Sequence, residues 1–213
     1  MSDGPSPLPC AFFARPVLEV ARDLIGCTFL FDGAGGRLVE VEAYRRDDPA
    51  SHSYRGRTER NAIMFGPSGR LYVYFTMGLH FCVNVVCQGE GEAAAVLLRA
   101  LEPTHGIEFM RRRRGLTDLR DLCSGPAKLT QALGITREHD GTPACDVTQA
   151  ATAAADGAGG SPRACFLTRS QGAAPHVVAT TRIGISVATR RPWRFVDADS
   201  RFLSRPLPRA ALG

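Results

Sequence analysis

Two carboxylates, Glu40 and Glu42, stand two residues apart inside the run 38–44. In an extended strand alternate side chains share a face, so Leu38, Glu40, Glu42 and Tyr44 would point one way and Val39, Val41 and Ala43 the other. Taken alone, such a strand has a core face and a water-exposed face carrying two ordinary glutamates. Arg99 changes that reading. It lies within the apolar run 93–101, where an unpaired guanidinium is too costly to bury, and a glutamate on a neighbouring strand is its natural acceptor. That pair could be structural, and it could equally hold a general base in its ionised form. Tyr72 and Tyr74 share a face opposite Leu71, Val73 and Phe75, His52 lies in the loop after Glu42, and Asn84 interrupts the apolar run 81–86. Tyrosines on a sheet face are commonly structural. Their combination with His52, Asn84 and Arg99 favours a polar-aromatic site. Two glutamates acting across an O-glycosidic bond are disfavoured, because both occupy one strand and that chemistry needs them opposed.

These residues need a sheet to hold them. Short runs rich in β-branched and aromatic residues at 27–31, 38–44, 71–75, 81–86 and 95–101, separated by Gly, Asp or Pro, predict strands of one mainly antiparallel sheet. An amphipathic helix is predicted over 15–26, with Pro16 early and Gly26 as its stop; helices are also expected over 102–114 and 126–133, ended by Gly115 and Gly134. Residues 182–187 read as a last strand. The Pro-rich residues 1–14 read as a flexible arm, 150–161 as a flexible Ala/Gly surface insertion and 206–213 as a tail. The expectation is a mixed α/β (α+β) fold, a single compact domain over 15–205 with a curved, mainly antiparallel sheet flanked by helices.

Composition narrows the classes. At 213 residues, 44% of them hydrophobic, the chain can bury one sizeable core. No apolar run is long enough to span a bilayer and no secretory leader is visible, so a cytoplasmic protein is expected. The 7 cysteines show neither a CxxC pair nor zinc-ligand spacing, which predicts free or buried thiols and no metal. A net charge of +5 favours a polyanionic partner. Lys128 is the sole lysine.

Several strings are individually unusual: Glu40-Val41-Glu42-Ala43-Tyr44, Ser51-His52-Ser53, Leu71-Tyr72-Val73-Tyr74, Phe81-Cys82-Val83-Asn84, Leu97-Leu98-Arg99-Ala100-Leu101-Glu102-Pro103 and Leu122-Cys123-Ser124-Gly125-Pro126-Ala127-Lys128-Leu129. In this order they closely resemble the alkyladenine (3-methyladenine) DNA glycosylase family, from about Pro16 to Val196. The resemblance implies a monofunctional glycosylase, with no metal or organic cofactor, that flips alkylated or deaminated purines out of double-stranded DNA and hydrolyses the N-glycosidic bond. It implies Glu42 as general base and Arg99 as a residue positioning base and water. Tyr44, His52 and Tyr74 would wall the base pocket, and Asn84 would police the purine 2-position. Where the family places a bulky side chain that enters the duplex, this chain offers Met77.

The chemistry accords with the resemblance. Alkylation at N3 or N7 makes the purine cationic and a good leaving group, so one carboxylate that activates water can suffice. Aromatic faces attract an electron-poor cationic ring. The segment Ser124-Gly125-Lys128 has the form of a capped helix N-terminus suited to a DNA phosphate, whereas the arginines at 111–114 fit a solvated face complementing a helix dipole. A monomer is expected, with no membrane and no obligate protein partner. The alternative is a non-catalytic damaged-DNA-binding protein of the same fold.

Overall fold

The computed structural model describes residues 4–76, 78–145, 163–170 and 173–207. Met77, the 150–161 tract and the tail beyond 207 lie outside the described residues.

Eight antiparallel strands form the sheet: β1 (Thr28–Phe31), β2 (Ala34–Tyr44), β3 (Leu71–Thr76), β4 (His80–Cys87), β5 (Ala94–His105), β6 (Ala164–Leu167), β7 (Val177–Thr180) and β8 (Arg194–Asp197). The main path runs β3-β4-β5-β2-β1-β6, and β8 joins β7 to β2. The helices are α1 (Cys10–Phe13), α2 (Val17–Leu24), α3 (Ile107–Arg114), α4 (Leu119–Leu122) and α5 (Pro126–Leu133), with 3-10 turns at Glu59–Phe65 and Arg137–His139. The molecule is therefore the mixed α/β unit expected, with a curled antiparallel sheet at its centre.

Strand alternation sorts the side chains into two populations. Val41, Ala43, Leu71, Val73, Val83, Val85, Val96 and Leu98 share the main core with α2, α3 and α5. The opposite face carries the polar and aromatic set. Tyr72 stands across from Asn84, Asn84 across from Leu97, and Leu97 across from Glu42, so one row crosses four strands.

Leu38 does not keep the face of Glu40 and Glu42. It joins the main core, while Val39 packs with Ala100, Val196, Phe202 and Leu203 on the other side. The cause is an irregularity in β2, whose register against β5 shifts between Leu38 and Glu40 and again between Glu40 and Val41. The other edge of β2 changes partner at the same place, from β1 at Arg37 to β8 at Glu40. A bulge re-aims the chain where the sheet branches.

Four further expectations need correction. Residues 102–105 extend β5 and are not helical, because Glu102 pairs with Arg37 at 3.0 Å and Pro103 stands opposite Gly36. The close approach requires glycine: a Cβ on Gly36 would run into the Glu102 carbonyl. The helix begins only after Gly106, at φ 62°. Residues 182–187 form a loop, not a strand. The arm is docked from Ser6 onward: Ser6 N–H donates to Thr168 Oγ1 at 2.9 Å, Leu8 N–H donates to the Phe166 carbonyl at 2.8 Å, and the Phe13 ring is buried 5.1 Å from Phe166. Finally, Cys10 and Cys145 form a disulfide, while Cys27, Cys82, Cys87, Cys123 and Cys165 are buried thiols. Docking of α1 brings together two cysteines separated by 135 residues, a proximity that spacing alone does not encode.

Candidate active site

The polar face of the sheet opens into a cavity of about 510 Å³. Tyr44, His52 and Tyr74 line it, as do Tyr72, Asn84 and Arg99 from the sheet floor, and the loop after Arg182 completes the far wall. The local reason is alternation: positions 72, 74, 84 and 99 all fall on the face turned away from the main core. The structure thus gathers all four predicted pocket residues and Arg99 around one space.

Both glutamates are fully buried, not water-exposed. Glu40 is enclosed by donors. Its Oε1 accepts from Arg99 Nε at 2.7 Å, Arg194 Nε at 2.8 Å and Ser204 Oγ at 2.7 Å, and its Oε2 accepts from Ser204 N–H at 2.7 Å. Three of these four hydrogen bonds converge on Oε1 and one reaches Oε2. Burial pushes the Glu40 carboxyl up, but Arg99, Arg194 and Ser204 outweigh it and hold the group below its ordinary range.

Glu42 lies just under the cavity floor. Its Oε1 accepts from Ile183 N–H at 2.7 Å, and its Oε2 accepts from Tyr44 Oη–H at 2.9 Å and faces Arg99 Nη1 at 3.3 Å. Glu42 thus accepts two hydrogen bonds where Glu40 accepts four, with Arg99 as its ion-pair partner. Its donors Tyr44 and Ile183, and Arg99, all line the cavity, whereas of the Glu40 donors only Arg99 does. Arg99 therefore bridges both carboxylates. Burial works against its charge, and Glu42 and Glu40 together more than restore it.

The aromatic side is held by mutual contacts. His52 Nδ1 and Tyr72 Oη are 3.0 Å apart, and the His52 ring meets Tyr74 edge-on at 4.4 Å between centroids. Desolvation in the cavity wall, aided by Arg60, lowers the His52 pKa although the residue as a whole is exposed. Burial also raises the Tyr72 phenol to about 12, and the Tyr44 phenol, buried against the Glu42 carboxylate, is raised further. These phenols are donors, not acids. Asn84 Nδ2 donates to the Tyr72 carbonyl at 3.0 Å, which fixes the amide's orientation.

A sequence profile of the methylpurine-DNA glycosylase family matches residues 11–201. The chain belongs to that family. This makes it a DNA glycosylase, a hydrolase of N-glycosyl bonds, and a protein that binds DNA as substrate. Curated relatives agree. A protein of Rhodopseudomonas palustris strain CGA009 is 55% identical over 93% of this chain and 88% of its own length. One of Bradyrhizobium diazoefficiens is 52% identical over 95% and 93%, and one of Nitrosospira multiformis 46% over 93% and 94%. All three carry the name "Putative 3-methyladenine DNA glycosylase".

Other residues of this glycosylase stand differently from expectation. Gly125, not Ser124, is the N-cap of α5, and no side chain caps it. Ser124 Oγ instead accepts from Lys128 Nζ at 3.2 Å, and Lys128 also pairs with Asp121 at 3.2 Å. The arginines at 111–114 do fall in the last turn of α3 with none of them buried, as a run complementing the helix dipole would, and Arg111 also pairs with Glu108 at 2.6 Å, Arg113 donates to the Ala132 carbonyl and Arg114 bonds Gln131. Among the described residues no three His, Cys, Asp or Glu side chains gather as metal ligands.

Sequence reasoning missed Ile183, Arg182, Asp48, Arg194 and Ser204. Arg182 and Arg194 offered the same signal as Arg99, an arginine beside apolar residues, but neither has its partner nearby in sequence: Arg182 pairs with Asp48 across 134 residues and Arg194 with Glu40 across 154. Ile183 contributes a backbone N–H, which carries no side-chain signature, and Ser204 adds its Oγ to such an N–H from 164 residues away.

Proposed function

We propose that the cavity receives an alkylated or deaminated purine extruded from duplex DNA, and that Glu42 activates the water that replaces it on the sugar. What supports this assignment above all is the contrast in hydrogen bonding: Glu42 accepts two hydrogen bonds, both from residues that line the cavity, whereas Glu40 accepts four, from donors of which only Arg99 lines it. Water gives its proton to Glu42 as its oxygen bonds to the anomeric carbon. The glycosidic bond breaks, and its electron pair neutralises the positive charge of an N3- or N7-alkylated base. No acid is then required for the leaving group.

Arg99 Nη1, 3.3 Å from Glu42 Oε2, holds the carboxylate in place. Tyr44, His52 and Tyr74 wall the base, Asn84 reads the purine 2-position, and Met77 opposes restacking of the duplex. Ser124, Gly125 and Lys128 approach a phosphate at the start of α5, which begins at the cavity rim with Pro126. The enzyme acts as a cytoplasmic monomer. It leaves an intact abasic site, because a lyase needs an amine nucleophile and the only lysine is engaged at α5.

A duplex carrying a single 7-methylguanine or hypoxanthine tests the proposal. Free base should be released and the abasic strand should break only after alkali. Tight lesion binding with no release would instead support a non-catalytic damage-binding protein, and a borohydride-trapped protein–DNA adduct in high yield would refute the monofunctional chemistry.

A further inference from the structure

Tyr44 is held from two directions. Its ring lines the cavity and its hydroxyl donates to Glu42 at 2.9 Å. The guanidinium carbon of Arg182 lies 4.6 Å from the ring centroid. Arg182 is not a lining residue and its side chain is 0% exposed, so the cation covers the face of Tyr44 turned away from the open space. On its far side is Trp193, 5.2 Å from the guanidinium carbon.

The charge is anchored at some cost. Arg182 Nη2 donates to Asp48 Oδ1 at 3.0 Å, Nη1 bonds Asp48 Oδ2, and Nη1 also donates to the Ala43 carbonyl at 3.0 Å. Arg182 Nε is buried without a partner among the described residues. Apolar residues of similar volume commonly stabilise such a site as well or better, so the fold gains little from this pair that packing could not supply. What packing could not supply is a positive charge behind an aromatic wall.

We propose that Arg182 is a specificity-determining positioning residue: its buried cation offsets the preference of Tyr44 for positively charged bases and so admits neutral damaged purines beside cationic ones. An aromatic face attracts a cation through the negative side of its quadrupole. A guanidinium already on the reverse face draws π density toward itself and repels a second cation across the ring. The Asp48 carboxylate, and Arg191 at 3.7 Å from it, set how much of that charge is felt. The inference rests on assigning the cavity to the extruded base.

Arg182 also has a geometric role, since the next residue donates its N–H to Glu42 and Ala50 in the turn before His52 bonds Asp48. The test must separate charge from shape. Affinity is measured for duplexes bearing 7-methylguanine or hypoxanthine, each on a 2′-fluoro sugar that slows cleavage, and the cationic-to-neutral affinity ratio is compared between variants. The neutral pair Asp48→Asn with Arg182→Gln should raise the ratio about threefold to tenfold. Asp48→Asn alone leaves the cation uncompensated and should lower it. Arg182→Lys keeps the charge and should retain the parental ratio. Distortion of the pocket would weaken both lesions alike, so an unchanged ratio, or one that moves the same way in both Asp48→Asn backgrounds, overturns the proposal. Either variant alone decides the sign. If the parent prefers neither lesion to undamaged duplex, the pocket assignment itself fails, and this inference falls with it.

Discussion

Glu40 and Glu42 occupy neighbouring positions on one face of one strand, yet they belong to two different regions of the molecule. Around Glu40 the chain closes in: β8, the Ser204 turn and Arg99 give it four hydrogen bonds, and Val39, Val196, Phe202 and Leu203 form an apolar cluster on the same side of the sheet. Around Glu42 there are two hydrogen bonds, and both donors are cavity residues. The first region spends its carboxylate on holding the sheet junction together. The second keeps a carboxylate in reserve beside open space. Burial does not separate them, since both are 0% exposed. What separates them is how many hydrogen bonds the fold gives each and whether the donors line the cavity, and Arg99 pairs with both.

The largest expected effect breaks the comparison on the reactive side. Glu42→Gln keeps size and the Ile183 contact but removes the base, so single-turnover base release should fall by about 10²-fold or more while lesion binding survives. A loss below tenfold would mean that another group activates water. On the sealed side, Glu40→Gln leaves Arg99 and Arg194 short of a counter-charge. Breaking such a buried pair costs about 3–5 kcal/mol, and the melting temperature should drop by roughly 6–20 °C. Base release by the folded protein should stay within about tenfold of the parent. Equal losses of rate in the two variants, with unchanged melting, would show that the carboxylates act as one unit. The Glu40 deficit should also depend on pH. Because its pKa is depressed in the fold, its contribution is complete above the ordinary value of 4.5 and is lost as pH falls through the depressed one, so parent and Glu40→Gln melting curves should converge in acid.

A smaller effect sharpens the role of Tyr44. Tyr44→Phe keeps the wall and removes the donor to Glu42 Oε2, and a net hydrogen-bond contribution of about 0.5–1.5 kcal/mol predicts a severalfold fall in rate. An unchanged rate would leave Tyr44 as a wall alone. The smallest concerns His52. Its folded pKa is lowered, so between the ordinary 6.5 and that lower value the unfolded chain binds the extra proton, and stability rises with pH across the window. His139 acts in the same sense. His52→Asn should therefore flatten, but not abolish, the slope of melting temperature against pH below 6.5. An unaltered slope would show that folding does not change how readily His52 binds its proton.

Local pattern in the sequence was enough to reveal the alternation that puts Tyr72, Tyr74 and Asn84 on one face, the stops of α3 and α5 at Gly115 and Gly134, both with positive φ, and the need of Arg99 for a carboxylate. These are properties of adjacent residues: a pleat repeats every two positions, and a glycine ends a helix by its own backbone freedom. Tertiary structure alone decided which partners enclose each carboxylate. The bulge at Leu38–Glu40 reverses the facing of Leu38, the 182–187 run lies off the sheet and bonds Glu42 through Ile183, and Ser204, 164 residues from Glu40, supplies two of its four hydrogen bonds. Partners that distant in the chain meet only through strand register and loop packing, and a backbone N–H looks the same at every position in the sequence except proline.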